Sequence, residues 1–281
     1  MNVAPLVGMY GRTNNRSYDA IRPVRVTYDA FGYASGTVLF ELGNTKVLCA
    51  ISLNTGVPAF LKGSKAGWLT AEYAMLPTST LQRTQREAIT QKRSGRGTEI
   101  SRLIGRALRA VADLDVLGEK TITIDCDVLQ ADGGTRTAAI SGAYLALREA
   151  EQRWLADKII NQPCVIGDVA AISVGILEGV PMVDLDCSED NNAQVDFNFM
   201  LNSAGNIIEI QGAVEHGSAI SWDNFDAMRV LAVNGVKSLF SSLPPVPDVC
   251  RQRQEGCRPV QSADKSERVP LFCLRNRIEK N

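Results

Sequence analysis

Residues Asp127–Leu147 read DVLQADGGTRTAAISGAYLAL, and the order of residue types in this stretch decides how the chain around it is built. Leading into it, Lys120–Gln130 (KTITIDCDVLQ) alternates apolar with polar residues and is rich in β-branched side chains, the period of a strand. Leading out, Arg136–Ile159 carries apolar residues at the spacing of a helix. Gly133 and Gly134 stand between the two. A junction of this kind lets the backbone approach a ligand closely, and it directs free N–H groups and the positive end of a helix dipole at whatever lies there. Arg136 adds a guanidinium fork that suits phosphate oxygens, and Thr135 adds a hydroxyl donor. Taken alone, a glycine pair before a helix is more often plain turn geometry than an anion site, and no Gly-Lys-Ser/Thr follows that would make a P-loop.

On the N-terminal side, Val24–Leu53 alternates as a strand meander, with turn signals at Ala34-Ser35-Gly36 and Gly43-Asn44-Thr45. Ile100, Leu103, Ile104, Ala107, Leu108, Val111 and Leu114 then fall on one helical face, closed by Gly118. On the C-terminal side, Asp168–Asp186 reads as a hairpin turning at Glu178-Gly179, and Gln194–Gly212 as a second turning between Ser203 and Asn206. Ser221 is an N-cap for a last helix, whose Phe225, Met228, Leu231, Ala232 and Val236 form a core stripe. The expected class is therefore α/β (α+β), with mixed sheets packed on helices. We expect one domain over residues 1–243 and an irregular, flexible tail over 244–281, where prolines and charges replace periodicity.

The bulk composition fits a globular chain: 281 residues, 45% apolar and 22% charged, long enough to bury a core without disulfides. A net charge of -1 gives no general attraction to polyanions, so any such attraction must come from local clusters. Seven cysteines, an odd number, lie at irregular spacing and partly inside apolar runs, which favours buried thiols in a reducing compartment. A zinc site at Cys250, Cys257 and Cys273 is disfavoured by spacings unlike paired CxxC and by the lack of a nearby histidine. The N-terminal residues show no leader pattern and no apolar run reaches membrane-spanning length, so a cytoplasmic location without membrane contact is expected.

Two further stretches bear chemistry. Leu81–Arg102 holds Arg83, Arg86, Lys92, Arg93 and Arg96 against the single acid Glu87 ahead of the helix, either a solvated basic surface or a track for RNA phosphates. Val183–Asn198 crowds Asp184, Asp186, Glu189, Asp190 and Asp196. Such carboxylates repel one another unless a divalent cation sits among them, and magnesium prefers hard oxygen ligands; exposed loop acids are the plain alternative. Taken with the glycine junction, the set is an inventory for phosphoryl transfer on a nucleic acid. The lone His216, in a glycine-bearing turn, offers no Ser-His-Asp or Cys-His relay.

Gly43–Ala50 (GNTKVLCA), Gly56–Gly63 (GVPAFLKG), Gly67–Pro77 (GWLTAEYAMLP), Arg93–Ala110 (RSGRGTEISRLIGRALRA), Thr121–Ala143 (TITIDCDVLQADGGTRTAAISGA) and Asp184–Asn198 (DLDCSEDNNAQVDFN) together resemble ribonuclease PH over roughly residues 20–243. The resemblance implies the ribonuclease PH fold, related to that of the second domain of ribosomal protein S5, and a homohexameric ring built as a trimer of dimers. It implies phosphorolytic 3′-to-5′ trimming of RNA, tRNA precursors above all, with inorganic phosphate as co-substrate, Mg²⁺ as cofactor and nucleoside 5′-diphosphates as products. Carried over by motif, Arg96, Gly134, Thr135 and Arg136 would hold the phosphate, Asp190 and Asp196 would be the catalytic, metal-binding acids, and Arg83 and Arg86 would contact RNA. Thr78 stands where family members commonly have arginine, and Leu81-Gln82-Arg83 where His-Thr-Arg is usual, a departure that bears on the grip on RNA.

Overall fold

Three strands open the fold: β1 (Val24–Tyr28), β2 (Gly36–Leu42) and β3 (Thr45–Thr55) form the antiparallel meander expected from their alternation. β4 (Trp68–Met75) follows, then α1 (Gly95–Arg109) and β5 (Lys120–Gln130). β5 pairs antiparallel with β3 and parallel with β4, so α1 is the crossover that a parallel pair requires. The sheet order is β1-β2-β3-β5-β4. The computed structural model describes residues 11–12, 15–86, 95–217 and 219–247. The tail from 248 onward, the three cysteines within it and Lys92 and Arg93 of the basic run lie outside the described residues.

α2 (Thr135–Ala156) leads from the first sheet to the second, which consists of β6 (Ala170–Leu177), β7 (Val180–Val183), β8 (Val195–Leu201) and β9 (Ile207–Val214) in the order β7-β6-β8-β9, all antiparallel. Between β7 and β8 lies a short helix, α3 (Cys187–Asn192), and α4 (Trp222–Ser242) packs on β6 and β7. α2 touches β2 and β3 on one side and β6 on the other, and for that reason its sequence is apolar nearly all round. One apolar core runs from Val38, Phe40 and Val128 through Ala139, Ala143 and Leu147 to Ile172, Met228 and Leu239. Three of its buried polar side chains tie neighbouring backbone in place: Glu151 Oε1 accepts from the N–H groups of Cys164 and Val165, Glu149 Oε2 from Thr37, and Ser141 Oγ from Ala171.

The hairpin turn at Glu178-Gly179 takes the left-handed backbone expected of it, with φ of 48° and 79°. Ser221 Oγ accepts from Asn224 N–H at 3.2 Å, as an N-cap should. α1 departs from expectation. It ends at Arg109 instead of continuing to Leu114, because Val111 and Ala112 turn away to pair with Val165 and Ile166. Val111 and Leu114 still reach the core, but from the loop that follows. The thiols divide as well: Cys49, Cys126 and Cys164 are buried, while Cys187 is exposed.

Candidate functional site

Gly133 and Gly134 form the bend between β5 and α2, and both need the left-handed region, with φ of 75° and 65°. The loop is also pressed against the segment between β7 and α3. A Cβ on Gly133 would lie 2.5 Å from the carbonyl oxygen of Leu185. Gly134 occupies the N-cap of α2 and has no side chain to bond the first N–H groups, so the helix starts uncapped with its positive dipole end open. Thr135 is buried on the first turn, and Arg136 beside it is half-buried.

Arg22 holds this loop in place. Its guanidinium donates to the carbonyl oxygens of Asp132 and Gly133, to that of Leu185 at 3.3 Å, and to both carboxylate oxygens of Asp184. One side chain thus fastens the glycine loop of the first sheet to the segment that carries the acids. Thr45 Oγ1 adds a bond of 2.6 Å to the carbonyl of Gly133.

The five crowded carboxylates prove to have different occupations. Asp184 is matched by Arg22 and Arg16, and Glu189 by Arg12 at 2.7 Å and Arg16 at 3.1 Å. Asp186 caps α3 by accepting from the N–H groups of Ser188 and Glu189, while Glu189 Oε2 accepts from Asp186 N–H, a capping box. The expectation that a cation must relieve the whole cluster is therefore corrected, since arginines and backbone N–H groups relieve three of its members. Asp190, on the last exposed turn of α3, and Asp196, near the start of β8, remain.

Those two meet the arginines. Asp190 is exposed overall, yet crowding around its carboxyl pushes its pKa above the ordinary value, against the opposing pull of Arg136 and Arg96. Asp196 lies deeper. Burial, reinforced by the charge of Asp190 and opposed by Arg136, pushes it up to about 6. Its Oδ2 accepts from Asn198 Nδ2 at 3.4 Å, and its Oδ1 is buried with no hydrogen-bond partner among the described residues. The charge of Glu215, just past β9, raises both acids further.

Arg96 reaches the group from α1. That helix begins at Gly95, so Arg96 rides on its first turn. Two contacts tie the same helix to β9: Arg106 to Glu209 at 2.5 Å and Glu99 to Gln211 at 2.5 Å. Since β9 pairs with β8 at Ala213 and Asp196, these contacts hold the start of α1 toward the acids. Arg96, Thr135, Arg136, Asp190 and Asp196 are thereby gathered at one place, bordered by Gly134. Arg83 and Arg86 are exposed in the segment after β4, and no hydrogen bond or ion pair among the described residues joins them to that group.

Sequence reasoning passed over Arg22, Tyr73, Asn198 and Glu215. Arg22 stands alone before a strand, and its partner Asp184 is 162 residues away. Tyr73 and Asn198 looked like ordinary members of alternating strands, and Glu215 like a loop acid. No group of three or more His, Cys, Asp or Glu side chains among the described residues is arranged to enclose a metal ion, so a cation here would have to be held by the two aspartates and by substrate oxygens. No described helix is long and apolar enough to cross a membrane.

Comparison with known proteins identifies the family and the fold. Residues 20–152 match the 3′ exoribonuclease family, domain 1, and residues 168–235 match domain 2 of the same family. Among solved structures, the fold resembles the Archaeoglobus fulgidus exosome with RNA bound to the active site, with a TM-score of 0.68 at 17% identity over 81% of this chain and 90% of that one. It resembles rice (Oryza sativa) Rrp46 with a TM-score of 0.63 at 19% identity over 80% and 95% of the two chains. An archaeal exosome core gives 0.62 at 20% identity over 80% and 87%.

Proposed function

The chain belongs to the 3′ exoribonuclease family typified by ribonuclease PH, and from that premise we propose that it is a phosphorolytic 3′-to-5′ exoribonuclease acting on RNA, above all on tRNA 3′ ends. The observation that carries the reading is that Arg96 and Arg136, from two different helix starts, both pull on Asp190, and that Arg136 pulls on Asp196 as well.

In the proposed reaction an oxygen of inorganic phosphate attacks the phosphorus of the last phosphodiester. The bond to the 3′ oxygen of the preceding nucleotide breaks, a nucleoside 5′-diphosphate leaves, and the shortened RNA keeps a 3′ hydroxyl. Nucleophile and substrate are both anions, so something must offset their repulsion. The open N-terminus of α2, the Thr135 hydroxyl, and the Arg96 and Arg136 guanidiniums supply fixed positive potential before the reaction begins. Without a cation, Asp190 and Asp196 are both pushed upward, so whichever of the two is not engaged by a cation could hold a proton nearer neutrality than an isolated aspartate does and pass it to the departing 3′ oxygen. The unpartnered Asp196 Oδ1 beside Asp190 also fits a hard cation. These two residues would hold Mg²⁺, whose charge would stabilise the leaving oxygen. We further propose that Arg83 and Arg86 grip the RNA backbone, and that the protein is cytoplasmic and works as a homohexamer, to be checked by light scattering.

RNA incubated with Mg²⁺, with and without phosphate, tests the reading. Nucleoside diphosphates formed only with phosphate are expected. Monophosphates formed without phosphate would indicate a hydrolytic nuclease, and binding without either product a non-catalytic ring subunit.

A further inference from the structure

We infer that Tyr73 is a positioning residue for the attacking phosphate: its hydroxyl donates to Thr135 Oγ1 and so leaves the Thr135 proton free to point at the anion. The inference rests on the phosphate role proposed above for the start of α2. Tyr73 reaches across from β4, and its Oη lies 2.9 Å from Thr135 Oγ1, with both residues 6% exposed.

The direction of that bond follows from counting protons. Each hydroxyl has one proton to donate and lone pairs to accept with. If Thr135 donated to Tyr73, the tyrosine proton would need another acceptor, and its only hydrogen-bond partner among the described residues is Thr135. A buried donor would then stay unsatisfied. If Tyr73 donates, its proton is satisfied and the Thr135 proton turns to the open helix start, where a bound phosphate accepts it. Burial also raises the Tyr73 pKa, so the phenol keeps its proton at neutral pH despite the nearby Arg96 and Arg136.

Thr137 shows the contrast. Its Oγ1 donates inward to the carbonyl of Gly134 at 2.8 Å, which commits its proton to the helix itself. Two threonines on one turn are thus used differently. Only Thr135 has a neighbour that occupies its oxygen and frees its hydrogen.

The test is a double-mutant cycle read by calorimetric titration with inorganic phosphate, using the full chain. Tyr73→Phe removes only the hydroxyl and should weaken phosphate binding about threefold to tenfold, the worth of one hydrogen bond. KM for phosphate should rise by the same factor while kcat at saturating phosphate stays within about twofold. Thr135→Val should weaken binding more, and Tyr73→Phe added to Thr135→Val should cost nothing further. Thr135→Ser, which keeps the hydroxyl, should retain the dependence on Tyr73. Unchanged phosphate affinity in Tyr73→Phe overturns the inference, as does an equal loss in the Thr135→Val background. If the unaltered chain binds no phosphate, the proposed function falls first and takes this inference with it, an outcome visible before any substitution is made. Should Tyr73→Phe not fold, the Thr135→Ser and Thr135→Val pair decides: equal phosphate affinity in the two rules out a role for the Thr135 proton.

Discussion

Asp184 and Glu189 lie in the same short span as Asp190 and Asp196, and their surroundings could hardly differ more. The first pair is 1% exposed and every carboxylate oxygen in it meets an arginine. In the second pair, Asp190 sits on the open surface and Asp196 keeps a buried oxygen without a partner. A carboxylate enclosed by guanidiniums has no capacity left for a substrate, a proton or a cation, so it can only hold structure. One left short of partners is held at a higher energy and can take part in chemistry. The first pair also makes the second possible. Glu189 anchors α3, whose next residue is Asp190, and Asp184 anchors Arg22, which holds the glycine loop.

The largest effect should come from breaking the enclosed pair. Arg22→Met leaves Asp184 buried with Arg16 as its remaining guanidinium partner, and removing one member of a buried ion pair costs roughly 3–5 kcal/mol. Asp184 also sits at φ 55°, a backbone strain that its surroundings must sustain. Urea unfolding should show the loss as a lower midpoint with an unchanged slope. An unaltered midpoint would mean that the enclosed acids are not structural after all.

Next comes Arg136→Ala, which removes a charge from the open pair and none from the enclosed one. Phosphate-dependent trimming should fall about 10²- to 10³-fold. The urea midpoint should fall far less than in Arg22→Met, because Arg136 is half-buried, carries no salt bridge among the described residues, and acts on Asp190 and Asp196 only through its charge. Saturation by phosphate at the parent's affinity would remove Arg136 from the site.

The two pairs also differ in how far they could be read from sequence. That acids crowd between Asp184 and Asp196 is plain to see, but which are matched depends on Arg12, Arg16 and Arg22, whose partners lie more than 160 residues away. No local pattern encodes such a pairing. The hairpins and α2 were legible because alternation and helical spacing persist over many residues. α3, with six residues, is too short to show a period, and its one signal, Asp186 followed three residues later by Glu189, was hidden inside the acid run. The glycine loop was visible as a junction, whereas its pressure against Leu185 arises only when the segment after β7, more than 50 residues further along the chain, folds back onto it.

Asp196→Asn sharpens the comparison in the opposite direction from Arg22→Met. The folded protein holds the Asp196 proton up to about 6 against an ordinary value of 3.8. Protonation therefore favours the folded state: this contribution is fully present below about pH 4 and is lost as pH rises through about 6. Above that, the charged form costs up to about 3 kcal/mol. Asparagine carries no such charge, so at pH 7.5 and without divalent cations the variant should be more stable than the parent, while its trimming activity, assayed with Mg²⁺, should be abolished. Its unfolding midpoint should also lose the parent's change between pH 4 and 6. A variant that is both inactive and less stable would place Asp196 with the enclosed acids.

The smallest effect applies the same reasoning to arginines. Arg12, Arg16 and Arg22 are enclosed by acids, whereas Arg83 and Arg86 are exposed and make no ion pair with a described acid. Arg83→Ala should leave stability within about 0.5 kcal/mol, as for surface substitutions in general. Its effect should appear on RNA instead. If the side chain meets a backbone phosphate, affinity should fall to a similar extent for all sequences, and the slope of log affinity against log salt should flatten by about 0.7–0.9. Thr78 stands where the resemblance to ribonuclease PH implies an arginine, one positive charge fewer in this neighbourhood. Restoring it with Thr78→Arg should steepen the same slope by a similar amount, so the two substitutions bracket the parent. If neither moves the slope, these exposed arginines lie off the RNA path, and the distinction between enclosed and open charges would hold for the acids alone.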